Sequence, residues 1–207
     1  MIKTVLFDVD GTLLDTSEYI YQSFEYSLKK HYKPLKRDRI GTIMGKPLEE
    51  CYQILTTKDA VSDLAQSHND FQKKNSYLSF PFPHTLKVLR TLKDKNYHSA
   101  AVTSRRKNTV IETLKLAKIL PLLDYIVTVD DVVKPKPHPE SIRKALDFFG
   151  AEPKQAIMIG DSPADVHAGK NAGTQTIGVT YGFHGNKITE FNPDFVIDDI
   201  AEVLNLV

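Results

Sequence analysis

The chain has 207 residues, of which 41% are apolar and 26% charged, an ordinary composition for one globular core with, at most, a modest insert. Lys and Arg total 27 against 26 Asp and Glu, so the chain offers no basic field for nucleic acid. Cys51 is the only cysteine, which excludes an intrachain disulfide, and no apolar run approaches the roughly 20 residues of a membrane span. We therefore expect a cytoplasmic protein with no nucleic-acid partner and no membrane segment.

Short apolar, β-branched runs recur along the chain and are typical of strands buried on both faces. They are Thr4–Phe7, Ser99–Val102, Tyr125–Val129, Ala156–Ile159, Thr176–Val179 and Phe195–Ile197. Between the later runs, apolar residues recur at helical spacing: Leu86, Leu89 and Leu92; Val110, Leu114 and Ala117; and Ile142, Ala145, Leu146 and Phe149. This alternation predicts an α/β fold, a Rossmann-like parallel sheet with helices on both faces.

Residues 16–81 interrupt the alternation, because they contain helical patterns and no convincing strand. The apolar positions of three predicted helices are Ile20, Phe24 and Leu28; Leu48, Cys51, Tyr52 and Leu55; and Val61, Leu64, Ala65, His68 and Phe71. Pro81 and Pro83 then prevent any helix from continuing. We expect residues 1–15 and 82–207 to form the α/β core and residues 16–81 to form an inserted helical domain.

Polar side chains follow four of the predicted strands, at the edge where ligands bind in open parallel sheets. They are Asp8 and Asp10; Thr103 and Ser104; Lys134 and Lys136; and Asp161 and Asp165. Clustered carboxylates repel one another unless a proton or a cation lies between them, and oxygen ligands of this kind suit Mg²⁺. A lysine and hydroxyls opposite the metal suit a phosphoryl group.

Two aspartates at the end of the first strand can divide the work of phosphate ester hydrolysis. One carboxylate can attack phosphorus to form an aspartyl-phosphate, and the other can protonate the leaving oxygen and then activate water. Gly11, next in sequence, allows backbone N–H groups to approach the phosphate closely. The pattern therefore predicts a magnesium-dependent phosphotransfer site.

Four segments, DVDGTLLD, VTSRR, KPHPE and GDSPAD, resemble in order the motifs of the haloacid dehalogenase-like hydrolases. The resemblance implies Asp8 as nucleophile and Asp10 as acid and base. It also implies phosphate contacts from Gly11, Thr103, Ser104 and Lys136, and Mg²⁺ ligands from Asp8, the carbonyl of Asp10 and Asp161. Asp165 would support the metal site from behind its ligands, and the insert would be the family's cap domain.

Within that family the chain is most similar to phosphoglycolate phosphatases, with an inorganic pyrophosphatase or a sugar-phosphate mutase as alternatives. Two alternative functions that are not enzymatic stay open: a phospho-receiver switch, and a partner-binding relative without activity. Lys134 and Lys136 are both candidates for the lysine that binds phosphate, since both lie in one loop.

In the cap, Gly45-Lys46-Pro47 is a candidate for a loop that reaches inward, so Lys46 is a candidate for substrate specificity. The histidines form no ligand spacing and are interpreted as structural or solvated.

Overall fold

The computed structural model describes residues 1–29, 36–43, 46–58 and 60–207. Its strands are β1 (Thr4–Phe7), β2 (Leu14–Asp15), β3 (Phe80–Pro81), β4 (His98–Val102), β5 (Tyr125–Val127), β6 (Ala156–Gly160), β7 (Gln175–Val179) and β8 (Phe195–Ile197). Its helices are α1 (Ser17–Leu28), α2 (Arg37–Gly41), α3 (Leu48–Thr56), α4 (Ser62–Lys74), α5 (Thr85–Asp94), α6 (Lys107–Leu116), α7 (Glu140–Phe149) and α8 (Pro163–Ala172). Among the described residues, no helix is long and apolar enough to cross a bilayer.

Six strands form one parallel sheet in the order β5-β4-β1-β6-β7-β8, as the sequence predicts. Successive residues of β1 face opposite sides of the sheet: Val5 and Phe7 pack with α5 and α6, whereas Leu6 packs with α7 and α8. Each face is thus covered by helices, which explains why the strands are apolar on both sides. The chain order reverses on either side of β1, the point where such sheets bind ligands.

The predicted strand Tyr125–Val129 is too long. The strand ends at Val127, and Val129–Asp131 forms a 3-10 turn. Asp131 ends that turn's capping box, in which its side chain accepts hydrogen bonds from the N–H and hydroxyl of Thr128. The hydrogen bonds that Thr128 makes with Asp131 therefore start a turn at this point. The apolar run considered alone favours a longer strand.

Helices α1, α3 and α4 form a separate apolar cluster, as predicted for the insert. Tyr19, Ile20, Phe24, Cys51 and Tyr52 are buried in it. The expectation of no strand within residues 16–81 is wrong at Phe80–Pro81, which pairs antiparallel with Leu14–Asp15. This ribbon carries the chain out of the core and back, close to the proposed boundaries at residues 16 and 81.

Candidate active site

Asp8 and Lys136 form a buried ion pair at the carboxyl end of β1. The Asp8 backbone N–H donates to the carbonyl of Ile159 at 2.8 Å, which extends the β1–β6 ladder by one residue. The Lys136 Nζ donates to Asp8 Oδ1 at 2.8 Å, to the carbonyl of Val102 at 2.9 Å and to Asp165 Oδ1 at 2.6 Å. All three ammonium donors are therefore used inside the core.

The structure distinguishes the two lysines of the loop before α7. The side chain of Lys136 is only 2% exposed, whereas Lys134 is exposed and its backbone N–H donates to Glu140. Lys136 is therefore the lysine that reaches the carboxylates.

Asp161 and Asp165 follow β6 and complete a buried group of carboxylates with Asp8. Ligand oxygens of these three residues lie within 4.8 Å of one another. Asp161 Oδ2 accepts the N–H of Phe183 at 2.6 Å, and Asp165 Oδ2 accepts the N–H and hydroxyl of Ser162 at 3.1 and 2.5 Å. Asp165 thus caps α8 with one oxygen and holds Lys136 with the other.

The electrostatics of this group favour a bound cation. Burial and the charge of Asp165 raise the pKa of both Asp8 and Asp161. Burial alone would lower the pKa of Lys136, but the carboxylates of Asp165 and Asp8 raise it. Lys136 pairs with two of the three buried carboxylates and leaves that of Asp161 without a cation among the described residues, so the cluster has an excess of negative charge and oxygen ligands only. These residues fit a hard divalent ion such as Mg²⁺.

Two glycines allow the backbone to approach Asp161. A Cβ on Gly11, whose φ is +82°, would lie 2.3 Å from Asp161 Oδ2, and one on Gly182 would lie 2.3 Å from Asp161 Cβ. The Gly11 N–H donates to the carbonyl of Leu14 at 2.9 Å. Gly11 therefore allows the turn to form and the backbone to lie close to Asp161. Its contact with phosphate stays a prediction.

Asp10 points toward an arginine that sequence reasoning did not single out. Asp10 Oδ1 accepts a hydrogen bond from Arg105 Nη1 at 3.3 Å, and both side chains are 11% exposed. Thr103, two residues before Arg105, is buried, and its Oγ1 accepts the Arg105 N–H at 3.1 Å. The VTSRR segment contains both arginines, but nothing in the sequence indicates which of them faces Asp10.

A cavity of about 90 Å³ lies over these residues, between the core and the cap helices. Its lining has a mostly polar core side and a cap side that mixes apolar and polar residues. The core side is Asp8, Asp10, Thr103, Ser104, Arg105, Arg106, Thr109 and Val129, and the cap side is Ile20, Phe24, Lys46, Leu48, Glu49, Cys51, His68, Asn69 and Gln72. At the cap side, Lys46 forms an ion pair with Glu50. Arg106 forms ion pairs with both Glu49, at 2.6 Å, and Asp130, at 3.2 Å. Gly45, the predicted bend before Lys46, lies outside the described residues.

The fold and the carboxylate cluster at the carboxyl ends of the strands define a hydrolase of the phosphotransfer type. The family model described as haloacid dehalogenase-like hydrolase matches residues 5–179, so the chain belongs to that family.

Curated relatives and solved structures align with this chain over its whole length or nearly so. A protein named pyrophosphatase PpaX from Bacillus cereus is 35% identical over an alignment of 209 residues that covers 100% of this chain and 96% of the relative. One of the same name from Bacillus pumilus is 35% identical over 210 residues, with the same coverage. A crystal structure described as a predicted phosphoglycolate phosphatase from Haemophilus somnus has a TM-score of 0.93 at 25% identity, covering 99% of this chain and 97% of that one. The chain is thus a phosphatase of the haloacid dehalogenase-like family.

Proposed function

We propose that this phosphatase depends on Mg²⁺ and hydrolyses a small phosphate compound through an aspartyl-phosphate on Asp8. The observation that carries the proposal is the buried cluster of Asp8, Asp161, Asp165 and Lys136 beneath the cap-lined cavity. A nucleophile, a cation site and a phosphate-binding lysine are thus available at one end of one cavity.

The first half-reaction transfers the phosphoryl group to the enzyme. A carboxylate oxygen of Asp8 attacks phosphorus, the bond from phosphorus to the leaving oxygen breaks, and Asp10 gives that oxygen a proton. In the second half, Asp10 takes a proton from water, the water oxygen attacks phosphorus, and inorganic phosphate leaves as Asp8 is regenerated. Thr103, Ser104 and Lys136 bind the phosphoryl oxygens throughout.

Asp8, the carbonyl of Asp10 and Asp161 would hold the metal, with Asp165 behind them. When bound, Mg²⁺ would offset the negative charge that a phosphoryl group brings to this carboxylate cluster. Lys136 already uses its three donors, so phosphate binding exchanges one of these contacts, most simply that with Asp8, for a phosphoryl oxygen.

The substrate carries a second anionic group, and pyrophosphate is the first candidate. Relatives 35% identical over the whole chain have the name pyrophosphatase, which supports pyrophosphate over the phosphoglycolate favoured by the sequence motifs. Phosphoglycolate is the second candidate, supported by the description of the Haemophilus somnus structure. Lys46 and Arg106, both at the cavity, are cations to which a second anion can bind, in competition with Glu50 and Glu49.

A substrate panel tests the proposal. Pyrophosphate, phosphoglycolate, an aryl phosphate and common sugar phosphates are assayed with Mg²⁺, then after thorough chelation and after readdition of Mg²⁺. We expect turnover only with the metal, and the highest kcat/KM on pyrophosphate. Activity that survives chelation would contradict the metal assignment. An Asp8-phosphate that persists for minutes without turnover would favour a receiver switch, and isomerisation of a sugar phosphate would favour a mutase.

A further inference from the structure

The guanidinium of Arg105 is held by four hydrogen bonds from three parts of the chain. Nη1 donates to Asp10 Oδ1 at 3.3 Å and to Thr113 Oγ1 at 3.1 Å. Nη2 donates to the Tyr19 hydroxyl at 3.1 Å and to the carbonyl of Thr109 at 2.9 Å. Thr109 and Thr113 lie on α6, one turn apart, and Tyr19 lies on the cap helix α1, so core and cap together fix the plane of this side chain.

Asp10 is the one charged partner of Arg105 among the residues that the structure describes. The other partners are a hydroxyl on the cap, a hydroxyl on α6 and a backbone carbonyl. The Arg105 Nε is buried and makes no hydrogen bond. Burying a cation with one unused donor is costly. Stabilising the fold therefore does not by itself explain why this arginine is buried. Its contact with Asp10 points to another role.

We propose that Arg105 is a positioning residue that fixes the carboxylate of Asp10 for proton transfer. This inference rests on the proposed function, in which Asp10 is the acid and base. A side-chain carboxylate at a strand end can rotate, and proton transfer requires hydrogen-bond reach to the leaving oxygen. The Arg105 donor directs Oδ1 of Asp10, which leaves Oδ2 to face the substrate.

The cap takes part through Tyr19. Its hydroxyl accepts from Arg105 Nη2 and donates to the carbonyl of Gln72 on α4 at 3.4 Å, and the Arg105 guanidinium lies 5.2 Å from the centre of the Tyr19 ring. Tyr19 is 1% exposed. The orientation of Asp10 is therefore tied, through two side chains, to the packing of α1 against α4.

The test compares Arg105→Met with the unaltered protein on two aryl phosphates. Phenyl phosphate has a basic leaving group that needs a proton, whereas p-nitrophenyl phosphate needs far less protonation. Because kcat/KM reports the first half-reaction, we expect Arg105→Met to lose about a hundredfold on phenyl phosphate and only a few-fold on p-nitrophenyl phosphate. With p-nitrophenyl phosphate, a burst of p-nitrophenol should precede a slow steady state, since water activation by Asp10 also suffers, and KM should fall together with kcat. With phenyl phosphate, both half-reactions slow, so the loss should lie in kcat and KM should change less than threefold.

Two further measurements separate positioning from folding. Guanidinium at millimolar concentration should restore at least tenfold activity to Arg105→Ala, and urea, which has the same shape without the charge, should restore none. Tyr19→Phe should lower kcat several-fold, while the matched control Tyr26→Phe, at a residue of the same helix that is 54% exposed, should leave kcat unchanged.

Each alternative outcome is decisive. Equal losses on the two aryl phosphates with no burst, or a raised KM with unchanged kcat, would overturn the positioning role of Arg105. Equal rescue by urea and guanidinium would show that Arg105 only fills space. Absence of hydrolysis by the unaltered protein with Mg²⁺ would refute the proposed function itself, whereas hydrolysis that Arg105→Met leaves unaltered would refute this inference alone.

Discussion

Replacing Lys136 by alanine removes the cation that pairs with the carboxylate cluster in the described part of the chain. Its Nζ contacts Asp8, Asp165 and the carbonyl of Val102 at 2.6–2.9 Å, and its side chain is 2% exposed. Leaving buried carboxylates without their partner costs about 3–5 kcal/mol. For a chain of this size, that loss lowers Tm by about 6–20 °C. Added Mg²⁺ should raise the Tm of the variant more than that of the unaltered protein, because it replaces the lost positive charge.

On the proposed function, the same substitution also removes a donor to the phosphoryl group. A charged hydrogen bond is worth about 1.5–3 kcal/mol, so kcat/KM should fall by about 10- to 150-fold. The assay is aryl phosphate hydrolysis with saturating Mg²⁺, at a temperature below the variant's melting transition, alongside thermal melts of each protein. Lys134→Ala is the matched control: its side chain is exposed in the same loop, so Tm should be unchanged and kcat/KM should stay within twofold.

Two results would refute this reasoning. If Lys134→Ala loses as much activity as Lys136→Ala, the wrong lysine has been assigned to the phosphate. If Lys136→Ala keeps normal kcat/KM and only its Tm falls, Lys136 is a counter-ion of the carboxylates and not a ligand of the phosphoryl group.

Three further predictions follow from the site and the cap. Asp8→Asn should abolish turnover without unfolding the chain, and Asp10→Asn should be nearly as severe; near-normal kcat in either variant, with circular dichroism as the control, would refute the two-aspartate mechanism. Lys46→Ala should raise KM several-fold for pyrophosphate and phosphoglycolate but hardly at all for an aryl phosphate; equal effects would place specificity elsewhere in the cap. Burial lowers the pKa of His68 from 6.5 to about 3, so the unfolded chain binds one more proton between these values and stability falls as pH drops below about 6.5. Denaturant titrations should show that His68→Gln lessens this fall by up to about 1.4 kcal/mol per pH unit, and an unchanged slope would contradict the burial of a neutral His68.

The sheet could be predicted because each of its strands is buried on both faces. A run such as Ala156–Gly160 then contains apolar residues without interruption, and polar residues such as Asp161 mark the edge where the strand ends. The carboxylates and Lys136 could be assigned to one edge for the same reason, since all strands of the sheet run parallel.

Other features depend on contacts between distant parts of the chain. Phe80–Pro81 becomes a strand because Leu14–Asp15 lies beside it, and two residues that include a proline give no strand pattern alone. Arg105 and Arg106 are adjacent and chemically identical, yet one contacts Asp10 and the other pairs with Glu49 and Asp130. That difference is set by how α6 and the cap pack. His68 is buried between Tyr52 and Gln72, as a structural histidine is, and it also lines the cavity.

The antiparallel ribbon of Leu14–Asp15 and Phe80–Pro81 makes the cap exchangeable. Because Leu14 and Pro81 are paired neighbours, a short turn between them would close the core without stretching any strand of the main sheet. A different helical insert could be attached at the same two points and would meet the same carboxylates. Evolution, or a designer, can therefore change what this catalyst accepts by replacing one continuous segment of the gene, provided that the new segment supplies the hydroxyl by which Tyr19 holds Arg105.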